Sequence, residues 1–162
     1  MNQTKTWMNK WIRHRSVLEE LVTLIEDEHL NYKPWPDAMT LSELVLHTAR
    51  WNHTFVSLVA TGEFTEPEDK NCKTAAELQE TVQRLTKETT EMFKSIADVN
   101  LKEEFELPFS NFKDSGDSII TIMYDHEIHH KGQLFVYVRL IGIEEVPFLV
   151  DINKSIENKE AY

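Results

Sequence analysis

Apolar residues recur three, four or seven positions apart in four long stretches of the chain, which is the spacing of one helix face. The 4 glycines and 5 prolines fall almost entirely in the gaps between these stretches. The pattern predicts an all-α fold, a four-helix bundle. The predicted helices run from Thr4 to Leu30, from Thr40 to near Gly62, from Thr74 to about Ile96, and from Ser115 or Asp117 to about Ile141.

Two of these helices begin with the same short motif. Thr40-Leu41-Ser42-Glu43 and Thr74-Ala75-Ala76-Glu77 both read as capping boxes. In a capping box the threonine and the glutamate each accept from a backbone N–H group that the helix leaves without a partner. The second and third helices are therefore expected to start at these threonines.

The segment between Asp98 and Asp117 is irregular and predicts a long crossover connection before the last helix. It has room for a short strand pair around Phe105 to Phe112. In the tail, residues 146–150 are expected to pack and the chain from Asn153 onward to be solvated. No repeat or composition shift divides the chain, so residues 1–162 are interpreted as a single domain.

Charge and hydropathy narrow the classes of function. Lysine plus arginine total 17 against 28 aspartate plus glutamate, a formal charge of −11, which argues against a nucleic-acid partner. The longest apolar runs, such as Leu134 to Val138, are too short to span a bilayer, and residues 1–10 lack the apolar core of a signal peptide. The single cysteine, Cys72, cannot form an internal disulfide. A cytoplasmic location without membrane association is expected.

Candidate chemistry is concentrated in one predicted helix, where Asp125 to Leu134 contains three of the seven histidines. At about 100° per residue, His130 lies near 40° from His126, inside the apolar stripe, and His129 lies near −60°, at its margin. Two imidazoles at positions i and i+4 can reach a common ion about 2 Å from each ring nitrogen. His126 and His130 are therefore predicted metal ligands.

A third ligand is needed, and His47 on the second helix is a plausible one because it borders the stripe that Leu44 and Trp51 continue. The alternative for a lone histidine on an apolar face is a core residue with a satisfied hydrogen bond. His14, His29 and His53 lack comparable spacing and are expected on the surface or behind the ligands.

The same letters also match the zinc-protease pattern H-E-x-x-H, in which the glutamate is the general base. Glu127 lies about 100° from His126, away from the predicted site, and the following residues do not continue a longer protease pattern. Gln133, near −20°, is better placed to face the site as a polar group behind the ligands. The protease interpretation is therefore disfavoured, and no catalytic side chain is assigned.

The chain resembles the DinB-like superfamily over nearly its whole length, and members of that superfamily include thiol-dependent S-transferases and mycothiol-dependent isomerases. The resemblance is carried by His47 within Leu44-Val45-Leu46-His47, by His126-Glu127-Ile128-His129-His130-Lys131-Gly132-Gln133-Leu134, and by Val138-Arg139-Leu140-Ile141-Gly142. It implies a four-helix bundle with a non-sequential helix order, frequent homodimers, and a metal triad that maps onto His47, His126 and His130. Lys131 stands where arginine is usual.

Three protein ligands leave an open coordination position, which is typical of catalytic sites. The resemblance implies a thiol S-transferase in which one divalent ion, zinc or nickel, activates a low-molecular-weight thiol towards an electrophile. In that interpretation the reactive group is a thiol or water at the ion. Two alternatives stay open: a metal-binding stress-response protein without turnover, and a metal-dependent hydrolase or isomerase.

Overall fold

The computed structural model describes residues 2–156. It contains four long helices and a small antiparallel hairpin, so the predicted all-α four-helix bundle is confirmed. The helices are α1 (Gln3–Thr23), α2 (Leu41–Thr61), α3 (Ala75–Ser95) and α4 (Gly116–Leu140); the strands are β1 (Glu104–Leu107) and β2 (Phe112–Ser115); single 3₁₀ turns cover Asp27–His29 and Asn100–Lys102.

The helix starts follow the predicted caps with one difference. At Thr40 both bonds of the capping box form: the hydroxyl accepts from Glu43 N at 3.1 Å and the Glu43 carboxylate accepts from Thr40 N at 2.7 Å. Thr74 caps α3 in the same way, but the Glu77 carboxylate accepts from Lys73 N instead. Both arrangements give partners to N–H groups that a helix start leaves unpaired.

The first helix is shorter than predicted, because it ends at Thr23 and not near Leu30. The next residues include Glu26, Asp27 and Glu28, and negative charge at a helix C-terminus is unfavourable because the carbonyl ends carry partial negative charge. After the 3₁₀ turn, the backbone of Leu30 accepts from Ser42 N at 3.0 Å, which joins this segment to the start of α2.

The bundle has a non-sequential helix order. Helix α1 packs against α3 and α4, and α2 packs against the same two, so that α1 lies diagonally across from α2 and α3 across from α4. One core cluster joins the second half of α1 to the first halves of α2 and α3 and to the second half of α4, and the other cluster joins the opposite ends. Helices α1 and α4 therefore run one way, and α2 and α3 the other.

The long connection before α4 crosses between diagonal helices at one end of the bundle. It holds the hairpin, in which Glu104 pairs with Ser115 and Leu107 with Phe112. Gly116 is required where this connection meets α4, because a Cβ there would collide with the carbonyl oxygen of Asn100. This contact fixes where α4 begins.

The tail packs at other positions than predicted, because Val146 contacts the core but Phe148 and Leu149 are exposed, and the contacts with α1 lie beyond residue 150. Asp151 N donates to the Arg13 carbonyl at 3.0 Å, and Ile156 N donates to Asn9 Oδ1 at 2.9 Å, so residues 151–156 lie along α1 and are not simply solvated. Residues 157–162, the rest of the predicted solvated tail, lie outside the described part. Within residues 2–156, no helix combines the length and the apolar character that a bilayer-spanning segment needs.

Candidate metal centre

The contact between α2 and α4 brings three histidines to one point. His47 Nε2 lies 3.1 Å from His126 Nε2 and 3.1 Å from His130 Nε2. All three side chains are partly buried, and their ligand atoms lie within 4.8 Å of one another. The convergence expected for these residues from the sequence is therefore present in the fold.

The spacing of the nitrogens fits a bound ion. Nitrogen ligands sit about 2.0–2.1 Å from zinc in a tetrahedral site, which places two such nitrogens roughly 3.3 Å apart. The Nε2 separations of 3.1 Å are close to that value. A neutral imidazole has one nitrogen that donates and one that accepts. Three ring nitrogens this close therefore cannot all find hydrogen-bond partners in one another. A cation between them would give each lone pair a partner. The donor set also suits zinc and nickel.

The ionisation of the cluster favours metal binding as well. Burial, with a further contribution from His130, lowers the pKa of His47 to about 4. Burial and the neighbouring imidazoles lower the pKa of His126 to about 3, and burial also lowers the pKa of His130. The rings are therefore neutral at pH 7, and neutral imidazole is the form that binds metals.

Two of the rings have a carboxamide behind them. His130 Nδ1 lies 2.7 Å from Gln133 Oε1, so the glutamine chosen from the helix angles contacts a member of the cluster. His126 Nδ1 lies 2.7 Å from Asn52 Oδ1, a residue that sequence reasoning missed. Asn52 is fully buried. The sequence signal that could have identified Asn52 is an amide within the apolar stripe of α2, between Val45 and Val56, because a buried amide needs hydrogen-bond partners.

Behind Asn52 lies a buried ion pair. Arg15 donates to both oxygens of Glu127, from Nε at 2.8 Å and from Nη2 at 2.9 Å, and both side chains are fully buried. Asn52 Nδ2 and Trp11 Nε1 donate to Glu127 Oε2. The Glu127 carboxylate is thus directed at α1 and Asn52, away from the shared point of the three rings. This direction agrees with the helix-angle estimate and leaves the protease interpretation without a placed general base.

A second histidine cluster lies on another side of α4. His14 was expected near the surface or behind the ligands, but it is buried, with Nδ1 2.7 Å from Lys131 Nζ and Nε2 3.2 Å from the Tyr124 hydroxyl. Lys131 is also buried, and it donates to the Leu149 carbonyl of the tail. Sequence patterns do not predict this cluster, because His14 lies 110 positions from Tyr124 and 117 from Lys131.

The two remaining histidines named with His14 do not join the triad. His53 Nδ1 lies 3.0 Å from Thr89 Oγ1, on the side of α2 that faces α3. His29 belongs to the turn after α1, where its Nδ1 accepts from Glu26 N at 3.1 Å.

An apolar cleft of about 540 Å³ opens beside the triad. His47 and His126 form part of its wall. Trp51 meets Phe109 of the hairpin turn edge to face, with ring centroids 5.2 Å apart, and both rings line the cleft. The cleft thus places a hydrophobic surface next to the nitrogen cluster. Its other lining residues are Phe55, Phe64, Glu66 and Pro108.

Comparison with known proteins agrees with this architecture. The chain is 32% identical over 149 residues to the uncharacterized protein YjoA of Bacillus subtilis, an alignment that spans 91% of this chain and 97% of YjoA. The crystal structure of that DinB-like protein superposes with a TM-score of 0.78 at 30% identity, covering 91% of this chain and 99% of the other. A DinB-like protein from Bacillus cereus superposes with a TM-score of 0.70 at 22% identity, covering 85% and 91%, and supports the fold alone. The sequence profile of the DinB family matches residues 1–160, and the chain belongs to that family.

Proposed function

We propose that the protein is a metal-dependent thiol S-transferase, with one divalent ion held by His47, His126 and His130. The observation that carries the proposal is the convergence of three neutral Nε2 atoms beside an apolar cleft. Three protein ligands leave a position open for a substrate. An ion bound there would lower the pKa of a thiol that enters that position, so that the nucleophilic thiolate forms at neutral pH.

The residues of this chain would divide the remaining work. The three imidazoles hold the ion at the mouth of the cleft, and Asn52 and Gln133 hold two of the rings from behind. The rings of Trp51, Phe55 and Phe109 exclude water from the cleft and bind the apolar part of an electrophile. In the transfer the thiol loses its proton to solvent, a sulfur–carbon bond forms, and the leaving group departs with the electrons of its own bond.

The test uses purified full-length protein loaded with Zn²⁺ or Ni²⁺, with cysteine as the thiol and monochlorobimane as a fluorogenic electrophile that releases chloride. We expect near one equivalent of metal per chain and thiol consumption above the uncatalysed rate. His130→Ala should abolish the catalysed rate. Activity that survives this substitution would refute the proposal.

A pair of phenylalanines tests the role of the cleft. Phe109 is 57% exposed at the rim of the cleft, and Phe148 is 71% exposed outside its lining. Phe109→Ala should raise KM for the bimane with little change in metal content, and Phe148→Ala should change neither. Equal effects of the two substitutions on KM would contradict binding of the electrophile in the cleft.

The main alternative is a metal-binding protein without turnover, and the same preparation distinguishes it. In that case chelation lowers the melting temperature while neither a thiol nor a hydrolysable ester is consumed. Ester hydrolysis without thiol transfer would favour the hydrolase alternative. The identity of the metal, the homodimer and the cytoplasmic location stay predictions, which elemental analysis, sedimentation and fractionation of cells would test.

A further inference from the structure

We propose that Asn52 is a positioning residue that fixes the tautomer of His126, so that the Nε2 lone pair faces the ion site before any ion binds. The inference rests on the proposed metal site and extends it to the buried chain of contacts Arg15–Glu127–Asn52–His126, which joins α1, α4 and α2. Its members other than His126 are fully buried.

The direction of each hydrogen bond in this chain follows from the donors available. A guanidinium only donates, so the Glu127 carboxylate that faces Arg15 accepts at both oxygens. A carboxylate also only accepts, so the group that Asn52 turns toward Glu127 is its NH₂. The fixed charge of Arg15 therefore sets the orientation of the Asn52 amide.

The orientation of the amide then decides the tautomer of His126. With its NH₂ directed at Glu127, Asn52 presents Oδ1 to His126 Nδ1 at 2.7 Å. An oxygen acceptor at that distance requires the proton of the neutral ring on Nδ1. Nε2 is left with its lone pair, and it is this atom that lies 3.1 Å from His47 Nε2. Ligand imidazoles commonly have their other nitrogen held in this way.

His130 provides an internal contrast. Its Nδ1 lies 2.7 Å from the carboxamide of Gln133, but Gln133 is exposed and the described contacts give its NH₂ no charged partner comparable to Glu127. Solvent can satisfy a rotated Gln133 amide at little cost. Rotating the Asn52 amide would instead place its oxygen against the Glu127 carboxylate, which cannot donate, whichever tautomer His126 adopts. The tautomer of His126 should therefore be more firmly fixed than that of His130.

The experiment measures tautomers and metal affinity separately from activity. Long-range ¹H–¹⁵N correlation of the imidazoles in metal-free protein at pH 7.5 should show His126 protonated at Nδ1. Zn²⁺ affinity is measured by competition with a chromophoric chelator. Asn52→Leu should lose the tautomer bias and bind Zn²⁺ about 10–100-fold more weakly, the range typical for partners behind a ligand. Gln133→Leu should have a smaller effect.

Thr89→Val is the matched control, because it removes a buried partner from Nδ1 of His53, which is not one of the three. It should leave Zn²⁺ affinity within about twofold, well below the effect of losing a partner behind a ligand. The Nε2–H tautomer of His126 in the wild-type protein, or unchanged affinity in Asn52→Leu, would overturn the inference. The wild-type spectrum decides the matter even if Asn52→Leu does not fold. Zn²⁺ binding without thiol transfer would refute the transferase and leave this inference intact.

Discussion

Two histidine clusters lie on different sides of α4. They differ in whether a cationic side chain of the protein contacts the imidazole nitrogens. Around His14, the ammonium of Lys131 lies 2.7 Å from the imidazole and also donates to a carbonyl of the tail. Around His47, the Nε2 atoms of His126 and His130 converge, and no described side chain brings a cation to the point that they share.

The comparison shows what distinguishes a structural histidine from a metal ligand in this fold. Burial lowers the pKa in both clusters, to about 4 for His14 and about 4 for His47. Neutral buried imidazoles are therefore common to both. The difference lies in the partner: a lysine already occupies the lone pair of His14, whereas the triad leaves its lone pairs for an ion from outside.

The largest expected effect concerns the ion pair between the two clusters. Arg15→Met should lower the free energy of unfolding by about 3–5 kcal/mol in urea denaturation, because it leaves Glu127 charged and buried without its cation. Arg84→Met removes an exposed i,i+4 pair with Glu88 and should cost about 0.5 kcal/mol or less. Equal losses would mean that the buried pair contributes no more than a surface one.

The second prediction compares one histidine from each cluster. His126→Ala should weaken Zn²⁺ binding by more than the roughly 100-fold that loss of a partner behind a ligand can cost. His14→Ala should change Zn²⁺ affinity only slightly, because His14 accepts from Lys131 and contacts the Tyr124 hydroxyl, and it does not contact the triad. Competition with a chromophoric chelator measures both. Comparable losses would erase the distinction between the clusters.

The third prediction uses acid stability of the metal-free protein. Burial, and then the Lys131 ammonium, lower the pKa of His14 from 6.5 to about 4, so between those values the unfolded chain binds more protons than the folded one. The free energy of unfolding therefore falls as the pH drops from about 6.5 toward 4. His14→Gln should reduce this slope by up to one proton, about 1.4 kcal/mol per pH unit. Identical slopes in urea titrations would contradict a buried neutral His14.

The smallest effect is expected at Lys131. Lys131→Met removes the ammonium that opposes protonation of His14, so the pKa of His14 should rise toward its ordinary value in an NMR titration. Lys5→Met, an exposed change near the start of α1, should leave that pKa where it is. A pKa of His14 that does not move would show that Lys131 is not the cation of this cluster.

The helices and the pair His126 and His130 could be predicted from the sequence because local patterns encode them, whereas the full triad with His47 followed from the family resemblance. Periodicity gave the helices, the threonine caps gave the starts of α2 and α3, and the i,i+4 spacing put His126 and His130 on one face. The predicted end of α1 was wrong. The apolar pattern continues past Thr23 into a segment that is not helical and whose Leu30 carbonyl accepts from the start of α2.

Sequence by itself therefore determined the fold class and the shared face of His126 and His130, because both follow from the spacing of residues along single helices. Tertiary structure alone decided which lone pairs stay free. Asn52 and Glu127 lie 75 positions apart, and His14 and Lys131 lie 117 apart. Such pairs meet only when helices pack, and helical periodicity gives the face of a residue without naming its partner across the core.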